Sequence, residues 1–342
     1  MARVRFLLSV IACSASISAC GGGSTTSKPA ASTTTLATGG ASTVPASGAA
    51  STTTTAAAAG SSAPVEVAVN SPIGVAVDTG NHTVYATSST DSTVAVISGT
   101  AVSTTIMVNG PAFLAVDQGT HTVYVANSGD NSVAVINGHA VTATVPVGDF
   151  PLGVAVDPGT HTVYVANNRA NTVSVINGTT VTTTIPVGSG PNSIAVDPGT
   201  HNVYVTNDTG NTVSVINGTS VTATIPVGVG PLGVDVDPGT HTVYVANNNN
   251  NTGTSVSVIN GTTVTGTITV AAGPDELRVD PSTHKVYVVI RGANQLSTIS
   301  GNAVTGSVAV GTTPFDVALD PGTHEAYVTN RASNSVTIVP IG

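Results

Sequence analysis

Residues 151–190 read PLGVAVDPGTHTVYVANNRANTVSVINGTTVTTTIPVGSG, and close variants of this unit of about forty residues recur seven times between Ser71 and Gly342. A fixed internal period of this length indicates one repeat domain in place of two unrelated domains. Each copy holds one tyrosine in a V-Y-V-x-N or similar phrase: Tyr85, Tyr124, Tyr164, Tyr204, Tyr244, Tyr287 and Tyr327.

Within the unit, four runs with the lengths of short strands alternate with turn signals. The runs cover 153–156, 162–166, 172–176 and 181–187. The segment 157–160, Asp-Pro-Gly-Thr, predicts the first turn, because proline presets φ and the aspartate side chain caps the bend. Asn177 and Gly178 predict a type I′ hairpin between the third and fourth strands. Four antiparallel strands in each of seven units predict an all-β fold, a seven-bladed β-propeller.

The two ends of the repeat region predict how the ring closes. The fourth strand carries Pro146, Pro186 and Pro226 in successive units, which places it at the outer edge of each blade. The last unit stops at Gly342 after its third strand, whereas residues 65–69, VEVAV, precede the first unit where a fourth strand belongs. We therefore expect this N-terminal strand to complete the last blade and remove two open sheet edges.

The first twenty residues have the composition of an export signal. Arg3 and Arg5 precede an apolar or small-residue run over 6–19 that is too short to span a bilayer as a stable helix. The run ends Ile17-Ser18-Ala19-Cys20-Gly21, which resembles the lipobox of bacterial lipoproteins, whose cysteine receives the lipid as a thioether. An ordinary signal peptide cut near Ala19, with an incidental cysteine, is the alternative.

Residues 20–63 consist almost entirely of Gly, Ser, Thr, Ala and Pro, and nothing in them can form a core. We therefore expect a signal peptide over 1–19, a disordered tether over 20–63 and the propeller over 64–342. As a flexible coil the tether reaches about 35 to 40 Å. The same composition permits O-glycosylation, with a bare spacer as the simpler interpretation.

The repeat phrase also carries a family resemblance. Val203-Tyr204-Val205-Thr206-Asn207 and the segment 326–330, AYVTN, resemble the YVTN family of β-propeller repeats, and VYVAN occurs at 123–127, 163–167 and 243–247. The resemblance covers about 64–342 and implies seven four-stranded blades in an extracytoplasmic protein. It implies no single activity, because related propellers serve as scaffolds, surface-layer components, lactonases, lyases and DNA binders.

Composition and repetition exclude several kinds of site. The chain has 17 acidic against 8 basic residues, so no basic surface is available for nucleic acid. One histidine per blade, as at His161 and His201, keeps the rings too far apart for a shared metal. The recurring histidines, turn aspartates, hairpin asparagines and tyrosines are therefore interpreted as scaffold. We predict no cofactor, no metal site and no catalytic residue.

Differences among the repeats are the candidates for function, because the sevenfold fold requires none of them. Where five blades have alanine on the innermost strand, the fifth has Asp235 and the sixth has Arg278. A structural ion pair is one interpretation; the other adds Glu276 and Asp316 as an acidic pocket at the channel mouth. The phenylalanines of the mature chain fall at or just after the joints between blades. The candidate binding residues are Phe113, Phe150, Asp235, Glu276, Arg278, Phe315 and Asp316.

Two functional hypotheses follow. The first is a monomeric propeller held at the extracytoplasmic side of a bacterial membrane by lipid on Cys20, acting as a binding or structural platform for an envelope protein or small ligand. The second is an extracytoplasmic enzyme of lactonase or lyase type that uses the channel mouth.

Overall fold

The computed structural model describes residues 63–342. The predicted signal peptide, Cys20 and residues 20–62 of the predicted tether lie outside the described residues. Within 63–342, no helix has the length and apolar composition needed to cross a bilayer.

The described chain consists of 28 strands and one turn of 3-10 helix, Arg291–Ala293. Blades 1 to 3 contain β2 (Pro72–Asp78), β3 (Thr83–Ser88), β4 (Thr93–Ser98), β5 (Ala101–Met107), β6 (Pro111–Asp117), β7 (Thr122–Asn127), β8 (Ser132–Asn137), β9 (Ala140–Pro146), β10 (Pro151–Val156), β11 (Val163–Asn167), β12 (Thr172–Asn177) and β13 (Thr180–Pro186). Blades 4 to 6 contain β14 (Pro191–Val196), β15 (Val203–Asn207), β16 (Thr212–Asn217), β17 (Ser220–Pro226), β18 (Pro231–Val236), β19 (Val243–Asn247), β20 (Ser255–Asn260), β21 (Thr263–Thr269), β22 (Pro274–Val279), β23 (Val286–Ile290), β24 (Gln295–Ser300) and β25 (Ala303–Ala309). Blade 7 contains β26 (Pro314–Asp320), β27 (Glu325–Asn330), β28 (Ser335–Pro340) and β1 (Val65–Ala68).

The strands form seven separate four-stranded antiparallel sheets, which confirms the predicted seven-bladed propeller. Six blades use four consecutive strands, and the seventh has the order β1-β28-β27-β26. Val65 lies opposite Ile338 and Ala68 lies opposite Ser335, so the N-terminal strand closes the ring as expected. In the outer strands of blades 3, 4 and 5 the side chains alternate between exposed and at least partly buried.

One local prediction was wrong, namely the type of the outer hairpin turn. Asn177 pairs with Thr180, so Gly178 and Thr179 are the two central residues of the turn. Only Gly178 among them has positive φ, at 60°. A turn with glycine and positive φ at its first central position is type II′. Asn177 ends its strand, and the glycine alone supplies the left-handed conformation.

The hydrophobic core is divided into seven clusters, and each lies between two neighbouring blades. Tyr85 of blade 1, for example, packs with Leu114 and Val116 of blade 2. The middle strands are buried on both faces, which explains their continuous runs of apolar residues such as VYVAN. The recurring tyrosines therefore belong to the packing between blades, as predicted.

Histidine and aspartate connect the blades on one side of the ring. We call this side the turn face; it carries the first turn of every blade, such as 157–161, and the outer hairpins. His201 Nδ1 lies 2.8 Å from Asp157 Oδ2 of the preceding blade. Six such contacts, with distances between 2.7 and 3.0 Å, join His82 to Asp320, His121 to Asp78, His161 to Asp117, His201 to Asp157, His241 to Asp197 and His284 to Asp237.

Each of these aspartates also caps its own turn, as the sequence predicted. Asp157 accepts a hydrogen bond from the Gly159 N–H at 2.9 Å, and His161 adopts φ of 57° at the end of the turn. Burial raises the pKa of Asp157, but hydrogen bonds from Gly159, Thr160 and His201 outweigh burial and lower it. The histidines are thus both turn residues and links between blades, and the second role was not foreseen.

The seventh link, between His324 and Asp280, is absent from the described residues, and the turn sequence explains why. Asp280 Oδ1 accepts hydrogen bonds from both the N–H and the hydroxyl of Ser282. The six linked turns have glycine at this position, against which the neighbouring imidazole packs; a Cβ on Gly159 would lie 2.8 Å from His201 Cε1. The serine side chain of blade 6 occupies the space that the ring would need.

We expect Gly159→Ser to displace His201 and to lower the free energy of unfolding by about 1 kcal/mol, because the half-exposed imidazole makes its contact with Asp157 weaker than a buried hydrogen bond to a charged group. Urea unfolding of the single variants and of the double variant with His201→Ala measures the effect. The two changes should be non-additive, because either one removes the same contact. Additive losses would contradict the proposed competition for space.

Candidate functional site

The innermost strands surround a central channel, and Arg278 of blade 6 organises the charged groups beside it. Arg278 Nη1 lies 3.3 Å from Glu276 Oε2 and donates to the Leu277 carbonyl at 2.8 Å. Arg278 Nη2 lies 3.4 Å from Asp316 Oδ1 of blade 7. Both carboxylates are buried, whereas the arginine side chain keeps 30% of its surface exposed. One guanidinium therefore links two buried acids on adjacent blades.

Asp235 does not pair directly with Arg278, contrary to the simpler interpretation of the sequence. Its Oδ2 accepts the N–H of Val279, on the innermost strand of blade 6, at 2.8 Å. Asp316 makes the same type of contact between blades 7 and 1, where its Oδ2 accepts the Val75 N–H at 3.0 Å. Each of the two aspartates thus bonds to the backbone of the following blade.

The Glu276 side chain reaches past blade 5 to blade 4. Ser193 of blade 4 donates its hydroxyl proton to Glu276 Oε2 at 3.2 Å, although blade 5 lies between them. The contact passes Gly233 of blade 5, where an added Cβ would lie 3.0 Å from the same carboxylate oxygen and 2.6 Å from the Asp275 carbonyl. Ser193, Glu276 and Asp316 are all buried, so they form a polar layer that solvent does not reach. Ser193 has no counterpart in the sequence-based site.

Burial changes the protonation of these acids. It raises the pKa of Glu276 to about 8, against the opposing effect of Arg278 and with reinforcement from Asp316 and Asp275. Burial likewise raises the pKa of Asp275 to about 6, although Arg291 opposes it. Glu276 is therefore largely protonated at neutral pH, and it shares its site with a charged arginine.

We expect Glu276→Gln to stabilise the protein at pH 8 to 9. Because the folded-state pKa of about 8 exceeds the ordinary value of 4.5, the stability that Glu276 contributes is complete below pH 4.5 and is lost as pH rises towards 8. Gln cannot ionise, so the variant should gain about 4 to 5 kcal/mol at pH 9, at about 1.4 kcal/mol per pKa unit, and little at pH 4. Thermal unfolding across this range, with the exposed Asp149→Asn as control, measures it. If stability changed with pH in the same way in both variants, the raised pKa of Glu276 would be contradicted.

The predicted phenylalanines lie on the opposite side of the ring, which we call the joint face; it carries the joints between blades and the loops between second and third strands. Phe150 and Phe315 are buried. The Arg169 guanidinium lies 4.0 Å from the Phe150 ring centre, and that of Arg291 lies 3.7 Å from the centre of Phe315. These cation–π contacts cover the rings and hold the joints together.

The candidate residues thus separate into two groups. Glu276, Arg278 and Asp316 are in contact, and Asp235 lies beside them. Phe315 is adjacent to Asp316 in sequence but packs against Arg291, which also pairs with Asp275. Phe150 packs with Arg169 elsewhere on the joint face, and Phe113 is half-buried on blade 2. Among residues 63–342, no three His, Cys, Asp or Glu side chains are placed to hold a metal.

An open cavity lies on the turn-face side of this buried polar layer. Its volume is about 380 Å³, and Ala76, Ala115 and Ala155 line it together with Asp235 and Arg278. A second space of about 420 Å³ shares Asp235 with it and reaches the turn prolines. Both spaces therefore lie toward the turn face, and neither is lined by Glu276 or Asp316, which the sequence predicted at the channel mouth. The sequence contains no signal for this, because it depends on the direction and the burial of the Glu276 side chain.

No protein-family model and no curated protein matches the sequence, so the YVTN resemblance stays a prediction. Solved structures share the fold. A hydrazine synthase from Kuenenia stuttgartiensis aligns with a TM-score of 0.69 at 18% identity, over 80% of this chain and 96% of the other. A streptogramin B lyase aligns with a TM-score of 0.72 at 12% identity, over 82% and 97%. A catalytically inactive virginiamycin B lyase from Staphylococcus aureus with quinupristin gives 0.72 at 12%, over 82% and 99%. At these identities the likeness establishes the seven-bladed propeller fold alone.

Proposed function

We propose that the chain is a lipid-anchored, extracytoplasmic propeller that acts as a rigid binding platform in the bacterial cell envelope. The observation that carries the proposal is the state of the charged groups. Glu276 and Asp316 are buried and bonded to Arg278, Ser193 and the Val75 backbone, so both have structural roles. A propeller whose unusual polar groups are bonded to one another and to the backbone of neighbouring blades suits a scaffold better than a catalyst.

The anchor rests on Cys20 and the residues around it, and it has a matched control within the chain. Growth with an alkyne-tagged fatty acid should label the full chain and the Cys13→Ser variant, but not Cys20→Ser. The labelled protein should fractionate with membranes, and the Cys20→Ser protein should not. Equal labelling of both variants, or none, would contradict lipidation at Cys20.

The platform should contact its partner through the joint face, where the blades differ most. Val229 is 44% exposed there, beside the longest second-to-third-strand loop, 248–254. A photo-crosslinking amino acid at Val229 should capture one reproducible envelope protein in living cells. The same amino acid at the exposed His139 on the turn face should capture none of it. Capture of unrelated proteins at both positions would argue against a specific platform.

A lyase-type enzyme is the second candidate, because a buried acid with a raised pKa, as in Glu276, is a common general acid. The structural likeness to virginiamycin B lyase supplies a direct assay. If the platform proposal is correct, purified protein leaves quinupristin intact with and without added divalent metal. Turnover that is lost in Glu276→Gln, in a variant that stays folded, would favour the enzyme.

A further inference from the structure

The cavity on the turn-face side of the channel has a wall that differs from the rest. At the fifth position of the innermost strand, Ala76, Ala115, Ala155, Ala195 and Ala318 present methyl groups, and valines flank them. The other two of the seven equivalent positions, on adjacent blades, hold Asp235 and Arg278. The volume of about 380 Å³ falls within the range of small-molecule sites, which are mostly apolar with few polar groups.

The charges on this wall do not balance. Glu276 and Asp316 share the Arg278 guanidinium, and each has a further donor: Ser193 for Glu276 and the Val75 N–H for Asp316. The Asp235 carboxylate accepts the Val279 N–H. Within residues 63–342, no Lys, Arg or His nitrogen lies within ion-pairing distance of it. Asp235 is only partly buried and borders both the cavity and its mouth.

We propose that the channel binds a small primary alkylammonium compound, with the ammonium group on Asp235 and the alkyl chain among the alanine and valine side chains. Carboxylate and ammonium attract more strongly in a channel with apolar walls than in water. The alkyl chain gains by leaving water for the methyl-lined wall. Burial raises the pKa of Asp235 even against the effect of Arg278, and a bound cation would favour its charged form.

The opposite assignment, an anion on Arg278, fits the contacts less well. The guanidinium already faces two carboxylates and a carbonyl oxygen. An additional anion on Arg278 would lie close to the Asp235 carboxylate, and like charges repel it. Asp235 therefore makes a cation the preferred ligand of the cavity.

Isothermal titration calorimetry of the full chain with n-pentylammonium tests the proposal. We expect saturable binding of one equivalent, and at least tenfold weaker binding of 1-pentanol and of pentanoate. Asp235→Asn should weaken pentylammonium binding at least tenfold, whereas Asp149→Asn, on the joint face, should bind as the parent does. Thermal unfolding confirms that each variant is folded.

A second variant acts through volume and leaves the charge intact. Ala155→Leu places a larger side chain on the cavity wall two blades from Asp235, and we expect it to abolish pentylammonium binding. Asp235→Ala, which installs the residue that five other blades carry, provides a substitute should Asp235→Asn not fold. No binding by the parent chain, tighter binding of pentanoate, or undiminished binding by both Asp235 variants would overturn the proposal.

Discussion

Deletion of residues 64–70 is expected to lower the free energy of unfolding by about 5 kcal/mol or more. The deletion removes β1, whose four residues pair with β28 from Ile338 to Ser335. It also removes the buried side chains of Val67 and Val69, which pack with residues of blades 1 and 7. Blade 7 would be left with three strands and an open edge, and open edges pair with other chains. Urea unfolding and light scattering measure the loss of stability and the oligomers.

A pair of valines on the same strand separates side-chain packing from the mere presence of the strand. Val67 is 3% exposed and Val65 is 42% exposed. Val67→Ala should cost about 2 kcal/mol, because it leaves a cavity in the closing cluster. Val65→Ala should cost less than about 0.5 kcal/mol. If the deleted chain unfolds like the parent and stays monomeric, β1 does not stabilise the ring.

Arg278→Ala is expected to cause the second largest loss of stability and to lower the free energy of unfolding by about 3 to 5 kcal/mol. The change leaves Glu276 and Asp316 buried without their shared positive partner. The alanine itself should be tolerated, since five blades carry alanine at this position. The cost therefore comes from the uncompensated carboxylates, and it should grow as pH rises and Glu276 ionises.

Restoring neutrality provides the control for this prediction. The triple variant Arg278→Ala, Glu276→Gln, Asp316→Asn keeps similar shapes and removes the charges, so it should recover at least half of the lost stability. Chemical unfolding at pH 7 compares the variants. A triple variant as unstable as Arg278→Ala would mean that the arginine acts through its packing and not through its charge.

Most of the fold follows from local sequence. The forty-residue period, the Asp-Pro-Gly turns and the outer-strand prolines depend on neighbours within a few residues, so they could be read without coordinates. The seven sheets and the closing strand confirm that interpretation. The hairpin at Gly178 differs because Asn177 completes the strand, which shifts the turn by one residue.

The links between blades could not be foreseen in the same way. His201 and Asp157 are 44 residues apart, and only the ring places one repeat's histidine on the preceding repeat's turn. Their regular recurrence was a sign of scaffold, and that part of the interpretation is correct. Ser282 replaces a glycine, which is a small change in sequence. On the turn face, however, the histidine of the next blade packs against this glycine, so the serine side chain prevents a seventh link.

The candidate site was likewise predictable only in part from the sequence. Departures from the repeat drew attention to Asp235, Glu276, Arg278 and Asp316, and the structure brings the last three into contact. Sequence by itself determined which positions are unusual, because each residue can be compared with those at the same position in the other six repeats. Only the tertiary structure decided which side chains pair: Glu276 reaches Ser193 past blade 5, and the cavity lies toward the turn face. Side-chain direction and burial depend on packing between distant repeats, and no local pattern encodes them.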